Sequence, residues 1–283
     1  MSIENPFSEL SAFIPAFAMQ VYVIAMVILV IGGTIIDTLH KKSARYFFEN
    51  AEKAKKVATR EVSGGEKVSF AIKTVTNEVL TSSEFSNPRR RISHLFTMYG
   101  FIIFVVTTAI MIFGYASTDA ATPAILPILW HLGALMLCFG GYWFWFFIRV
   151  DVAAEGKKWY QLARADLFIV SLLAMATFAL IWSFLQSAGV AGWSGLFFIL
   201  FLIASTVLFS TVLWSKFAHM FFKPAAAYQK KVAWADGSRE NLPDVPDLSD
   251  PAVHEKFPDI PQYMGKNPPE MGPGIRREPA RHY

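Results

Sequence analysis

The chain is poor in the residues that build most redox and nucleotide sites. Of its 283 residues only one is a cysteine, Cys138. A single thiol excludes an internal disulfide, a Cys-x-x-Cys redox pair and an iron–sulfur ligand set held by this chain alone. No c-type haem attachment motif is present either, so any redox centre here must be held by something other than sulfur. Charge is also scarce, at 17% of residues against about 25% in a soluble domain. A phosphate-binding loop is missing too. The one candidate, Gly64-Gly65-Glu66-Lys67, has the wrong glycine spacing and no Ser or Thr after the lysine. The first eleven residues hold Glu4 and Glu9 and no base, which does not match a cleaved secretion signal. The first apolar segment is therefore expected to stay in the mature protein.

What the chain does have is long uncharged runs. Leu10–Ile36 carries no charge over 27 residues, and Leu95–Thr118 and Ala120–Ile148 follow the same pattern. About 20 apolar residues cross roughly 30 Å of hydrocarbon as a helix. A fourth run, Leu167–Ser215, is 49 residues long, too much for one span. Its stretch Gln186–Gly195 (QSAGVAGWSG) reads as a tight turn between two helices. The expected fold is an all-α integral membrane protein, a bundle of five transmembrane helices. Its segments are 1–36 (first span), 37–93 (basic loop), 94–118, 119–148, 149–166 (loop), 167–222 (fourth and fifth spans) and 223–283 (tail). The 26 phenylalanines and 8 tryptophans suit rings that face lipid and mark its boundaries.

Orientation follows from Lys and Arg. Segments 37–94, 149–166 and 216–283 hold 12, 4 and 10 of them, all 26 in the chain. These segments are expected inside, which puts the N-terminus outside and the tail in the cytoplasm. The net charge of +4 then reflects basic loops beside an anionic leaflet rather than nucleic-acid binding.

Within the first inner loop, Ser43–Arg60 is rich in helix formers, with Glu49/Lys53 and Glu52/Lys56 at i,i+4 spacing. Ser63-Gly64-Gly65 breaks this helix and a second is expected over Glu66–Leu80. The tail segment Leu242–Pro261 (LPDVPDLSDPAVHEKFPDIP) alternates Pro and Asp and cannot bury enough surface to fold alone. It reads either as a disordered tail or as an extended strap on a soluble partner, anchored by Val245, Leu248, Val253, Phe257 and Ile260.

The six histidines sort by position. His254 and His282 lie in the tail, His131 near the outer end of the third span beside Trp130, and His40 after the first span. His94 opens the second span behind Pro88-Arg89-Arg90-Arg91, and His219 closes the fifth. Both are expected at the basic boundary at similar depth. Two imidazoles facing each other across a bundle are what a b-type haem needs as axial ligands. Arg89, Arg90, Arg91 and Lys216 would offer positive charge to its propionates. Two ordinary boundary histidines are the plainer reading of the same spacing.

The stretches Asn87–Phe101 (NPRRRISHLFTMYGF) and Trp214–Phe222 (WSKFAHMFF) resemble segments of the nitrate-reductase-gamma-like cytochrome b membrane subunits. In that family the second helix carries two haem-ligand histidines about ten residues apart and the fifth two more about eighteen apart. Carried over, the inner pair falls on His94 and His219. The outer pair falls on Phe104 and Phe201, which cannot ligate iron. The resemblance thus implies at most one haem b, with His94 and His219 on the metal and Arg90 and Lys216 near the propionates. Lys216–Gln229 (KFAHMFFKPAAAYQ) and the Pro/Asp-rich tail look most like the membrane anchor associated with dissimilatory adenylylsulfate reductase. That implies a bacterial inner-membrane subunit that docks a cytoplasmic flavin and iron–sulfur enzyme and passes its electrons to quinone. A quinone pocket would draw on His40, Lys216 or Tyr99, among which the sequence does not choose. The alternative is a structural anchor with no redox centre. A transporter fits less well, because apart from His131 the span interiors carry no ionisable His, Asp, Glu, Lys or Arg.

Overall fold

A computed structural model describes residues 4–40, 43–83, 85, 87–117, 121–149, 158, 160–215, 217, 219–239, 247–264, 270–272 and 275–276. Five of its helices are long and apolar enough to cross a membrane. They are α2 (Ala16–His40), α5 (Pro88–Gly114), α6 (Ile125–Phe147), α7 (Leu167–Ser187) and α8 (Ala191–Ser210). A short helix, α1 (Pro6–Leu10), precedes them. Outside the spans lie α3 (Ser43–Lys56), α4 (Gly64–Lys73) with a π-helical continuation over Thr74–Leu80, and α9 (His219–Ala235). The tail adds α10 (Pro251–Lys256), α11 (Asp259–Met264) and a two-stranded ribbon, β1 (Glu270–Gly272) with β2 (Ile275–Arg276).

Local chemistry sets the ends of these helices. Asn87 caps α5, its side chain accepting from the N–H of Arg89 at 2.9 Å, and Pro88 takes the first helical position. The helix therefore starts several residues before the apolar run does, and His94 stands nearly two turns inside it. The turn expected near Gln186 forms over 188–190, with Gly189 in the left-handed region at φ +73°. The fifth span is shorter than the uncharged run suggests. It stops at Ser210, and Ser215 Oγ then accepts from the N–H of Phe217 at 3.2 Å. The chain has left the helix by then, and α9 starts afresh at His219.

The spans pack in chain order as a closed ring, α2 to α5 to α6 to α7 to α8 and back to α2. The tightest seam is α5 with α6. A Cβ added at Gly100 would stand 2.8 Å from the Gly133 carbonyl oxygen, and one at Gly140 only 2.6 Å from that of Ser93. Ser93 Oγ donates to the Gly140 carbonyl at 2.8 Å. Small residues seven apart on each helix thus bring the two backbones together, the dispersion-driven packing that replaces hydrophobic burial in lipid. By contrast α2 is mostly exposed and is tied to its neighbours by Gln20, donating to the Ile112 carbonyl, and Tyr22, donating to that of Leu202.

At the end of the bundle away from the basic loops, α1 acts as a stopper. Buried Asn5 donates to the Tyr115 carbonyl at 2.9 Å and to Thr122 at 3.1 Å, and Gln186 donates to the Pro6 carbonyl at 2.9 Å. These bonds hold Phe7 between Trp130 and Trp182, at 5.9 and 5.4 Å between ring centroids.

Candidate functional site at the basic end

The basic end carries a tier of helices outside the spans. Ser63 and Glu66 form a reciprocal capping box at the start of α4, and Arg60 grips Glu66 through both guanidinium nitrogens at 3.2 and 2.9 Å. The Arg60 hydrogen bond, and next the Ser63 N–H, hold the Glu66 carboxyl down at about 2. Arg60 Nε also donates to the Ala235 carbonyl, and the N–H and hydroxyl of Thr59 donate to that of Asp236 at 2.8 and 3.1 Å. These are the last carbonyls of α9, where a cation and extra donors are most favourable. Gly237 follows at φ +78° and lies so close to Thr59 that a Cβ would sit 2.1 Å from its hydroxyl. Lys231 of α9 pairs with Glu78 of the π-helical segment at 2.9 Å. Segments some 150 residues or more apart in sequence are thereby clamped into one platform. The hydroxyl of Tyr99 adds a tie to the spans, donating to the Leu80 carbonyl at 2.6 Å.

His94 lies where this tier meets α5. Its Nδ1 is 3.0 Å from Ser82 Oγ, and its ring stands 4.9 Å from that of Phe85. Ser82 is buried and adopts φ +48°, an uncommon conformation for serine. Lys223, one turn beyond His219 on α9, places its ammonium 5.2 Å from the other partner of this stack, the Phe85 ring. Phe85 thus stands between His94 and the opening turns of α9.

The other expected ligands are placed differently. His219 opens α9 and does not close the fifth span; its side chain and all of Lys216 lie outside the described residues. Arg90 is half-buried in the first turn of α5, and its N–H donates to Asn87 at 3.4 Å. With a break between Ser210 and His219, the eighteen-residue register linking Phe201 to His219 no longer runs along one helix.

The outer pair of positions shows the opposite pattern. Phe104 and Phe201 are 2% and 6% exposed and face each other across the bundle, with ring centroids 6.4 Å apart. Trp130 stacks on Phe104 at 5.0 Å and Trp182 on Phe201 at 5.7 Å. Trp130 Nε1 donates to Thr108 at 2.8 Å, so even its polar atom is satisfied. This half of the bundle is lined with closely spaced aromatic rings.

Of the remaining candidates, His131 has Nδ1 2.7 Å from the Pro127 carbonyl and Nε2 2.8 Å from Ser183 Oγ. It bridges α6 and α7. His40 is exposed at the end of α2. In the tail, Leu248 is buried, Val253 and Ile260 are half-buried and Phe257 is exposed, while Val245 lies outside the described residues. Within the tail segment expected to be extended or disordered, Pro251–Lys256 forms α10, because Asp250 caps it and Pro251 fits its first position; residues 242–246 lie outside the described residues.

Sequence reasoning passed over Asp37. It is only 3% exposed although it sits at the basic end of α2. Asp37 falls one turn after Gly33, where a Cβ would be 2.9 Å from Val212. It therefore shares the face of α2 that packs on the segment after α8. A buried acid at a membrane boundary is a functional candidate by default.

Among the described residues no three His, Cys, Asp or Glu side chains cluster as a metal site. No protein-family model matches the chain, and no curated protein or solved structure is significantly similar to it.

Proposed function

We propose that this chain is the membrane anchor of a cytoplasmic flavin and iron–sulfur oxidoreductase, of the adenylylsulfate reductase type. It sits in a bacterial inner membrane with its N-terminus outside. The observation that carries the reading is the clamped tier at the basic end, where Thr59, Arg60, Glu66, Glu78, Lys231 and Asp236 join three segments into a preformed surface beyond the spans. A preformed platform beside a bundle whose far-half rings carry no iron-binding side chain at Phe104 or Phe201 suits tethering. The partner supplies the iron–sulfur chemistry that a chain with one cysteine lacks, and tethering brings its centres to the membrane surface where quinone is reached.

A second reading adds one haem b on His94 and His219. It is favoured by the Ser82 contact at Nδ1 of His94, since an imidazole that ligates through Nε2 needs its other nitrogen fixed. It requires Phe85 to withdraw from between the two helices. Affinity purification in mild detergent, followed by a reduced-minus-oxidised spectrum, tests both. Co-elution of an iron–sulfur flavoprotein without a b-type band supports the tether. A b-type band lost in both His94→Ala and His219→Ala establishes the second reading. A chain that elutes without a partner, in a membrane that retains the enzyme activity after its deletion, overturns the anchor.

A further inference from the structure

A groove of about 560 Å³ is lined chiefly by α2, α5 and α8. Its wall is almost wholly apolar. Three hydroxyl residues line it, and each is turned away to a backbone carbonyl: Tyr22 to Leu202 at 3.1 Å, Thr108 to Phe104 at 2.7 Å and Ser205 to Phe201 at 2.7 Å. The wall offers an occupant no polar partner, so only a hydrocarbon chain matches it. Along α2 the lining runs from Ala18 to Ile31, roughly 20 Å at 1.5 Å per residue.

The two ends differ. At the end remote from the basic loops, buried Phe7, held under α1, closes the groove. At the basic end it reaches Met220 of α9. Lys223 lies three residues further on, on the same helical face, and in sequence all 26 Lys and Arg fall in the segments expected at this end. A chain therefore enters from the basic leaflet, with its headgroup among cations.

We infer that the groove is a built-in site for one acyl chain of an anionic phospholipid of the basic-side leaflet. The lipid completes the seam that α2 leaves open, and the site is independent of which partner the tier docks.

The test uses the full chain purified in mild detergent and delipidated by extensive washing. Phosphatidylglycerol, phosphatidylcholine and a long-tailed isoprenoid quinone are then added back separately, and retention is read by native mass spectrometry. About one phosphatidylglycerol per chain should remain, at least fivefold more than phosphatidylcholine. Ala109→Phe, which fills the groove from α5, should abolish retention, and Lys223→Glu should erase the headgroup preference while leaving some chain binding. Helical content by circular dichroism controls for folding, and Ala18→Phe fills the same groove from α2 should the first variant misfold. Retention of the isoprenoid alone, equal retention of both phospholipids, or retention unaltered by either filling variant overturns the proposal.

Discussion

The two ends of this bundle hold opposite halves of one arrangement. At the far end, Phe104 and Phe201 are brought ring to ring across the bundle, 6.4 Å apart, but neither can bind iron. At the basic end, His94 and His219 have the right chemistry, yet one belongs to a span and the other opens a separate helix. Placement without ligands at one end and ligands without a shared helical register at the other teach the same point. A ligand pair is a property of side-chain type and backbone path together, and similarity in short motifs reports only the first.

The largest effect that would sharpen this contrast lies in the aromatic half. Trp182→Ala removes a buried ring that touches Phe7, Trp130, Phe198 and Phe201 and should cost about 3 kcal/mol. Equilibrium unfolding in mixed micelles reads it, and a loss well under half of that would mean the rings are loosely packed. The double variant Phe104→His, Phe201→His breaks the contrast directly. It should acquire no b-type band, because Trp130 and Trp182 still fill the interior; a band would show that the far end keeps room for a porphyrin.

At the basic end the expected effects are smaller. Gly237→Ala forces a side chain into φ +78° against Thr59 and should loosen the tier by about 1–2 kcal/mol. Limited proteolysis between residues 57 and 63 should accelerate while the spans stay protected. Glu78→Gln, which removes the half-exposed pair with Lys231, should cost no more than about 1 kcal/mol, seen as a slight rise in the same cleavage rate.

The smallest effect is a pH response. The Glu66 carboxyl is held at about 2, below its ordinary 4.5, chiefly by Arg60. A depressed acid stabilises the fold above its unfolded value, so the α4 cap is intact above about pH 4.5 and weakens as pH falls through about 2. The carboxylate is exposed, so the change should be confined to fraying at Ser63–Glu66. Amide exchange that rises there only below about pH 3 would agree with this sign, and loss already near pH 5 would contradict it.

Much of this was legible in the sequence. The five spans show as uncharged runs and the 188–190 turn as a glycine and serine cluster, while α4, expected from Glu66, starts at Gly64 behind the Ser63 cap. Their causes act within a few residues, so a linear reading reaches them. The end of the fifth span was not legible, because its uncharged run continues to Ser215 while the helix ends at Ser210 with no charge or breaker to mark it. Asp37 was hidden for a different reason: its burial comes from what packs on the same face of α2, not from its neighbours in sequence.

The amino-acid order by itself determined the solvent: runs longer than 20 apolar residues with no charge must bury their backbone polar groups in helices within a bilayer. It also determined the chemical inventory, with one thiol, six imidazoles and all 26 Lys and Arg confined to three segments between and after the uncharged runs. Only the tertiary structure decided which of these meet. The glycine seam of α5 and α6, the ring of aromatics under Phe7 and the interposed Phe85 depend on backbones approaching from distant parts of the chain. Contact between distant segments is fixed by packing in three dimensions, and no local pattern encodes it.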